Sequence, residues 1–279
     1  MSAKTVNKLT VPGATLHYEV TGSGPMLLLI PGGGTDAAVF DGIVGQLAAE
    51  YTVVAYDPRG NSRSRYDGEP SDECVDQSAE DALALIDKVA GDQPAYVLGS
   101  SSGAITGLEL ISRHPDRVRM LVAHEPPCTE ILPDATDARA FFEDVYDTYK
   151  SEGLAAAEVL FLVGTGMDDD AMPPMEDLLP EYRELAERMQ TNAANFYEHK
   201  LLPFTRYEPD LQALKTVADR IVPAAGLESI DHLPGRPIQL IAEHLGWPVV
   251  TFPGGHGGYA SHPVPFATHL AALLKADTL

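Results

Sequence analysis

Residues 95–115 read AYVLGSSSGAITGLELISRHP, and the fold turns on them. Ala95 to Ser100 form a short apolar run of the kind expected for a strand covered on both faces. From Gly103 onward the pattern becomes helical, until Pro115 stops it. At the joint stands Gly99-Ser100-Ser101-Ser102-Gly103, a G-x-S-x-G string centred on Ser101. A serine on so tight a strand-to-helix turn is held in a strained conformation with Oγ projecting. The glycines two places before and after it leave room for strand and helix to approach. Ser100 and Ser102 fit no such pattern. The string alone also suits a plain Gly/Ser turn, and the strand before it and helix after it give it meaning.

Working outward, similar apolar runs recur at MLLLI (26–30), TVVAYD (52–57), RMLVAHE (119–125), RIVPAAG (220–226) and PVVTFPGG (248–255). Between most of them lie helical patterns: FDGIVGQLAAEY, QSAEDALALIDKVAG ending at Gly91, and RPIQLIAEHLG ending at Gly246. Alternation of this kind predicts an α/β fold with a mostly parallel sheet wrapped by helices. Near the start, LTVPGATLHYEV alternates about a Pro-Gly turn and reads as a β-hairpin leading into the sheet. The stretch from Ile131 to Glu208 has no strong strand signal but three helical patterns, DARAFFEDVYDTYKSEG, GLAAAEVLFLVG and EYRELAERMQTNAANFYEHK. It reads as a helical insertion large enough to sit as a lid. The expected organisation is a core of residues 1–130 and 209–279 with a lid of residues 131–208. The lid aromatics Phe141, Phe142, Tyr146, Tyr149, Phe161, Phe196 and Tyr197 recur at helical spacing, so most should pack the lid onto the core.

Composition narrows the function classes. Nineteen Lys and Arg against 41 Asp and Glu give a formal charge of −22 over 279 residues. Such a surface repels phosphate backbones and anionic membranes, so neither nucleic acid nor membrane is an expected partner. The acidity would suit a cationic substrate, but it equally describes a solvated surface and assigns no substrate. The two cysteines, Cys74 and Cys128, have neither CxxC nor metal-ligand spacing and read as free thiols. No signal-peptide pattern opens the chain, no apolar run is long enough to span a bilayer, and a cytoplasmic location is expected.

Two further stretches carry chemistry. After the first apolar run comes Pro31-Gly32-Gly33-Gly34, a loop able to present unobstructed backbone N–H groups to a developing oxyanion. Gly33 N–H is the first candidate donor, with Ser102 N–H from the first turn of the helix. The loop makes a poor phosphate cradle, since no G-K-[ST] follows, and a simple tight turn is its plain alternative. Of the nine histidines, His256 stands out. It lies in Pro253-Gly254-Gly255-His256-Gly257-Gly258 just after the last strand, where glycines let a loop deliver an imidazole to the carboxyl edge of the sheet.

Together IPGGG (30–34), DPRGNSRS (57–64), GSSSG (99–103) and FPGGHGGY (252–259) resemble the α/β-hydrolase fold family, specifically its lidded small-molecule branch around cofactor-free haloperoxidases and esterases. The resemblance implies an eight-stranded, mostly parallel sheet with the lid inserted between its strands 6 and 7. Two departures are visible: Pro31 and Asn61 stand where members often carry histidine. The resemblance also implies an acid that orients His256, usually after the penultimate strand in a G-x-x-D or G-x-x-E setting. Glu228, in Gly226-Leu227-Glu228, is the favoured candidate. Asp231 on the same loop and Glu125, in His124-Glu125-Pro126-Pro127, remain alternatives. Asp57 and Arg59 match the family's structural turn and are read as packing residues.

The expected activity is that of a serine hydrolase acting through an acyl-enzyme on an ester, lactone or similar carbonyl bond of a small, largely apolar molecule. No metal or organic cofactor is required. Carbon-carbon bond hydrolysis and perhydrolase or haloperoxidase activity use the same triad and stay open. A non-catalytic binding protein on the same fold is the rival of a different class. Neither pocket-lining residues nor oligomeric state follow from the sequence.

Overall fold

The computed structural model describes residues 3–167 and 180–276. The opening hairpin pairs Thr5–Val11 (β1) with Ala14–Gly22 (β2), and Gly13 supplies the positive φ its turn needs. The chain continues through Met26–Ile30 (β3), Asp41–Leu47 (α1), Thr52–Tyr56 (β4) and Arg65–Tyr66 (β5). Val75–Ala90 (α2), Ala95–Ser100 (β6), Ser102–Arg113 (α3) and Val118–His124 (β7) follow. Five helices come next: Ala135–Glu152 (α4), Leu154–Thr165 (α5), Pro180–His199 (α6), Leu201–Thr205 (α7) and Leu211–Thr216 (α8). Ile221–Gly226 (β8), Arg236–Leu245 (α9), Val250–Phe252 (β9), Gly258–Ser261 (α10) and Pro263–Ala276 (α11) close the fold.

The strands make one mixed, mostly parallel sheet in the order β1-β2-β4-β3-β6-β7-β8-β9, with β5 beside β2. The sheet therefore has nine strands rather than the expected eight. The extra one is β5, whose two polar residues pair only with Ala14 and Thr15 and carry no apolar run that a sequence reading could detect.

Side chains alternate across the sheet, and so does its core. Leu28, Ile30 and Val97 share one apolar cluster with Leu85, Ile105 and Leu108 of α2 and α3. Leu27, Leu29 and Leu98 face the other way, against Ile43 of α1 and Phe266 and Leu270 of α11. The continuous apolar runs are thus strands covered on both faces, which is why they show no period of two.

Helices α4 to α8 fall between β7 and β8, where the helical segment was expected. Its aromatics mostly pack with one another. Phe142 and Tyr197 are the buried centre of a third apolar cluster, with Phe141, Tyr146, Tyr149, Phe161 and Phe196 around them. Residues 168–179, which include most of DDDAMPPMEDLLP, lie outside the described residues. Among the described residues no helix is long and apolar enough to cross a membrane. Cys74 is exposed, Cys128 is buried, and both are free thiols.

Candidate active site

Ser101 joins β6 to α3 with φ 57° and ψ −126°. The left-handed φ is costly for a residue with a Cβ, so the neighbourhood must hold it there. Part of the hold is a hydrogen bond from Ser101 N–H to the carbonyl of His124 at the end of the adjacent β7, 2.9 Å. The flanking glycines are steric necessities. A Cβ on Gly99 would stand 2.3 Å from the carbonyl oxygen of Gly103, and one on Gly103 would stand 2.2 Å from that of Ile30. Either would push strand and helix apart.

The Pro31–Gly34 loop runs directly over this turn. A Cβ on Gly32 would lie 3.2 Å from Ser101 Cβ and 3.7 Å from its Oγ. Gly32 carbonyl accepts from Thr35 N–H at 3.2 Å and from Thr35 Oγ at 2.8 Å. Because the Gly32–Gly33 peptide is planar and trans, fixing that carbonyl also fixes the direction of Gly33 N–H, which points the opposite way. Ser102, the first residue of α3, has no intrahelical acceptor for its N–H.

His256 comes in from the loop after β9, its side chain 12% exposed. Its Nδ1 lies 2.5 Å from Glu125 Oε2. Glu125 follows β7 directly and is fully buried. Its φ of 50° is, with Ser62 and Ser101, one of three positive values among the described non-glycine residues. The carboxylate's other oxygen accepts from Gly226 N–H at 2.8 Å and Ser229 Oγ at 2.6 Å. Burial pushes the Glu125 carboxyl up, but the hydrogen bond and charge of His256, with smaller help from His124 and Ser229, bring it down to about 2. At neutral pH it is an anion. Beneath the pair, His124 is wholly buried, its ring 6.4 Å from that of His256, and burial lowers it to about 4.

These placements bring His256 to one of the alternative acids rather than to the favoured one. The carboxylate on His256 is that of Glu125, whereas Glu228 and Asp231 are exposed. The reason is local geometry after β8. Leu227 and Glu228 bond through their N–H groups to the carbonyls of Phe252 and Gly254, so the segment runs alongside the β9 loop with Glu228 directed outward. Ser229, one residue later, is the side chain that turns in. In Gly226-Leu227-Glu228-Ser229 the inward place is thus held by a hydroxyl, and the carboxylate arrives from β7, one strand over from Ser101. The sequence sign was available in HEPP, an acid ending an apolar strand beside the serine's own. Nothing in the sequence singled out Ser229.

Asp57 is fully buried and accepts from Ala37 N–H, Arg63 N–H and the Arg63 guanidinium, and Arg59 pairs with buried Asp81 at 2.7 Å.

An uncharacterized hydrolase of Bacillus subtilis, YraK, is 36% identical to the chain over 275 residues, covering 96% of each. The chain belongs to the α/β-hydrolase family. The sequence model of the α/β hydrolase fold matches residues 25–162, from β3 through the first helices after β7. A zearalenone hydrolase from Cladophialophora bantiana is 30% identical over 276 residues, 94% of this chain and 93% of that protein. Among solved structures, the enol-lactonase from Burkholderia xenovorans superposes with a TM-score of 0.68 at 20% identity, over 96% of this chain and all of that one. That level of identity speaks for the fold only. The α/β-hydrolase fold with hydrolase relatives makes the chain a hydrolase, and its substrate a small molecule.

Proposed function

We propose that this α/β-hydrolase is a serine hydrolase that cleaves an ester, lactone or similarly activated carbonyl bond of a small, largely apolar molecule. The observation that carries the reading is the 2.5 Å contact between buried Glu125 and His256 Nδ1, at the sheet edge that holds Ser101. With Nδ1–H donated to a carboxylate, the imidazole's basic lone pair is on Nε2. His256 then removes the proton from Ser101 as Oγ attacks the carbonyl carbon. The tetrahedral oxyanion is held by Gly33 N–H and Ser102 N–H, and His256 returns the proton to the leaving alcohol. Water, activated by the same imidazole, attacks the acyl-enzyme and releases the acid.

Helices α4 to α6 act as the lid. Phe196 of α6 lies against the Pro31–Gly34 loop, close enough that a Cβ on Gly33 would meet its ring at 2.3 Å. An aromatic ring at that place favours an apolar acyl group. The esters to test therefore include p-nitrophenyl acetate and benzoate, with zearalenone and simple lactones because of the relatives.

The test is labelling by a fluorophosphonate together with turnover of the p-nitrophenyl esters. Wild type should be labelled on Ser101, and Ser101→Ala should lose label and about 10⁴-fold or more of kcat. Unlabelled Ser101 with full turnover by Ser101→Ala would end this reading.

A further inference from the structure

Asn61 lies in the turn that follows β4, and its side chain uses its full hydrogen-bonding capacity. Nδ2 donates to the carbonyls of Gly33, 2.9 Å, and Thr35, 2.8 Å. Oδ1 accepts from Lys200 Nζ, 3.0 Å, and Asn195 Nδ2, 3.2 Å. Asn61 is fully buried. A primary amide has two donors and two lone pairs, so every place is filled.

The two sides of that amide face different parts of the molecule. Gly33 and Thr35 belong to the loop over Ser101, and their carbonyls bracket the turn that orients Gly33 N–H. Asn195 and Lys200 belong to α6 and the residue just after it. Lys200 is itself buried and spends its three protons on Asn61, the carbonyl of Arg59 at 3.1 Å and Glu73 at 3.2 Å. A second tie runs alongside. Asn192 of α6 accepts from Ser62 N–H at 2.7 Å, next to Asn61, and Arg188 reaches Asp36 at 3.0 Å, next to Thr35. Filled networks of this kind have one low-energy arrangement, because any shift leaves a buried polar group unpaired.

We propose that Asn61 is a positioning residue for the oxyanion donor at Gly33, and that it couples the seating of α6 to catalysis. The proposal rests on the serine-hydrolase reading above. With α6 seated, Lys200 and Asn195 hold the amide so that Nδ2 faces the loop. With α6 displaced, the amide loses both donors to Oδ1 and the loop loses its anchor. The N–H aimed at the oxyanion is then no longer fixed in advance, which is the property that makes such donors effective.

A merely structural role and a positioning role separate in the choice of substrate. A thionoester carries sulfur where the oxyanion forms, and sulfur is larger and accepts hydrogen bonds poorly. An enzyme that relies on well-placed N–H donors therefore prefers the oxygen ester. We expect Asn61→Ala to lower kcat on the oxygen ester by about 30- to 100-fold, below the loss for deleting a donor outright, with KM changed less than about threefold. Its preference for the oxygen ester over the thionoester should fall about tenfold. Asn61→Asp keeps size and shape and suits Lys200, but turns carboxylate oxygen toward two carbonyls. It should be as impaired as Asn61→Ala. Either variant with wild-type kcat, or with a lowered kcat and an unchanged oxygen-to-sulfur preference, overturns the proposal. If neither variant folds, Asn195→Ala carries the test, since it removes the α6 donor while leaving the Asn61 amide and its bonds to the loop in place. It should lower kcat and the preference together, by about threefold, with little change in thermal midpoint. Wild-type values there overturn the coupling. Ser101→Ala is assayed in parallel. Full turnover by it ends the serine-hydrolase reading as well, whereas strict dependence on Ser101 with an unaltered preference in the Asn61 variants ends this proposal alone.

Discussion

Glu125 Oε2 and His256 Nδ1 are 2.5 Å apart, although 131 residues separate them along the chain. The relationship exists because β7 lies beside β6 in the sheet while β9 lies two strands beyond β7 on the same side. His124 and Glu125, consecutive at the end of β7, face two jobs. The carbonyl of the first holds Ser101 N–H, and the carboxylate of the second holds His256.

That pairing predicts which carboxylate matters. Glu125→Gln keeps the shape and can still accept from Gly226 and Ser229, but it cannot stabilise the imidazolium. It should lower kcat by about 10³- to 10⁴-fold, whereas Glu228→Gln and Asp231→Asn should stay within about twofold of wild type. Ser229→Ala removes a 2.6 Å hydrogen bond to the carboxylate and should cost about tenfold, in line with about 1.5 kcal/mol for a hydrogen bond to a charged group. Steady-state kinetics on one p-nitrophenyl ester decides all four.

Two buried groups make acid destabilising. Glu125 is held at about 2, so its contribution is complete above the ordinary carboxylate value of 4.5 and is lost as pH falls through 2. His124 is depressed from 6.5 to about 4, so the fold favours its neutral form. That contribution is complete above pH 6.5 and erodes as pH falls to 4. Unfolding free energy from urea titrations should therefore be level near neutrality and drop by a few kcal/mol between pH 6.5 and 4. It should fall again toward pH 2. A curve that stays level down to pH 4 would show that His124 is not buried neutral.

Glycine at position 103 is dictated by contact. Gly103→Ala places a methyl 2.2 Å from the carbonyl oxygen of Ile30 and 2.6 Å from that of Pro31, both backbone atoms that cannot swing aside. It should destabilise by about 3 kcal/mol. Gly45→Ala is the control, because a methyl there meets nothing within 4 Å on an exposed helical turn. It should be neutral or gain up to about 1 kcal/mol. Thermal midpoints of the two variants should move in opposite directions or differ by several degrees.

Phe196 sets the space beside Gly33. Phe196→Ala should raise the ratio of kcat/KM for benzoate over acetate esters by about tenfold, as expected for opening an apolar pocket by several carbon atoms. An unchanged ratio would mean that the ring does not border the acyl group.

Local rules made some of these features legible and hid others. The strand-turn-helix around Ser101 could be read because its signals lie within a few residues: an apolar run, two glycines and a helix stopped by Pro115. Gly254 to Gly258 marked His256 in the same way. Glu228 looked suitable because spacing from Gly226 was the only measure, and spacing does not say which way a side chain turns. The burial of Ser229 and exposure of Glu228 depend on how the segment after β8 lies along the β9 loop. Strand β5 escaped because a two-residue pairing leaves no pattern.

By itself, then, the sequence determined the elements, their alternation, the mostly parallel sheet and the turn that carries Ser101, since each follows from periodicity and from which residues tolerate a given φ. The tertiary structure alone decided the partner of His256, the hydrogen bonds of Asn61 between α6 and the Pro31–Gly34 loop, and the ring over Gly33. Each of these joins residues from distant parts of the chain. Their meeting depends on strand order and packing, which no local spacing encodes.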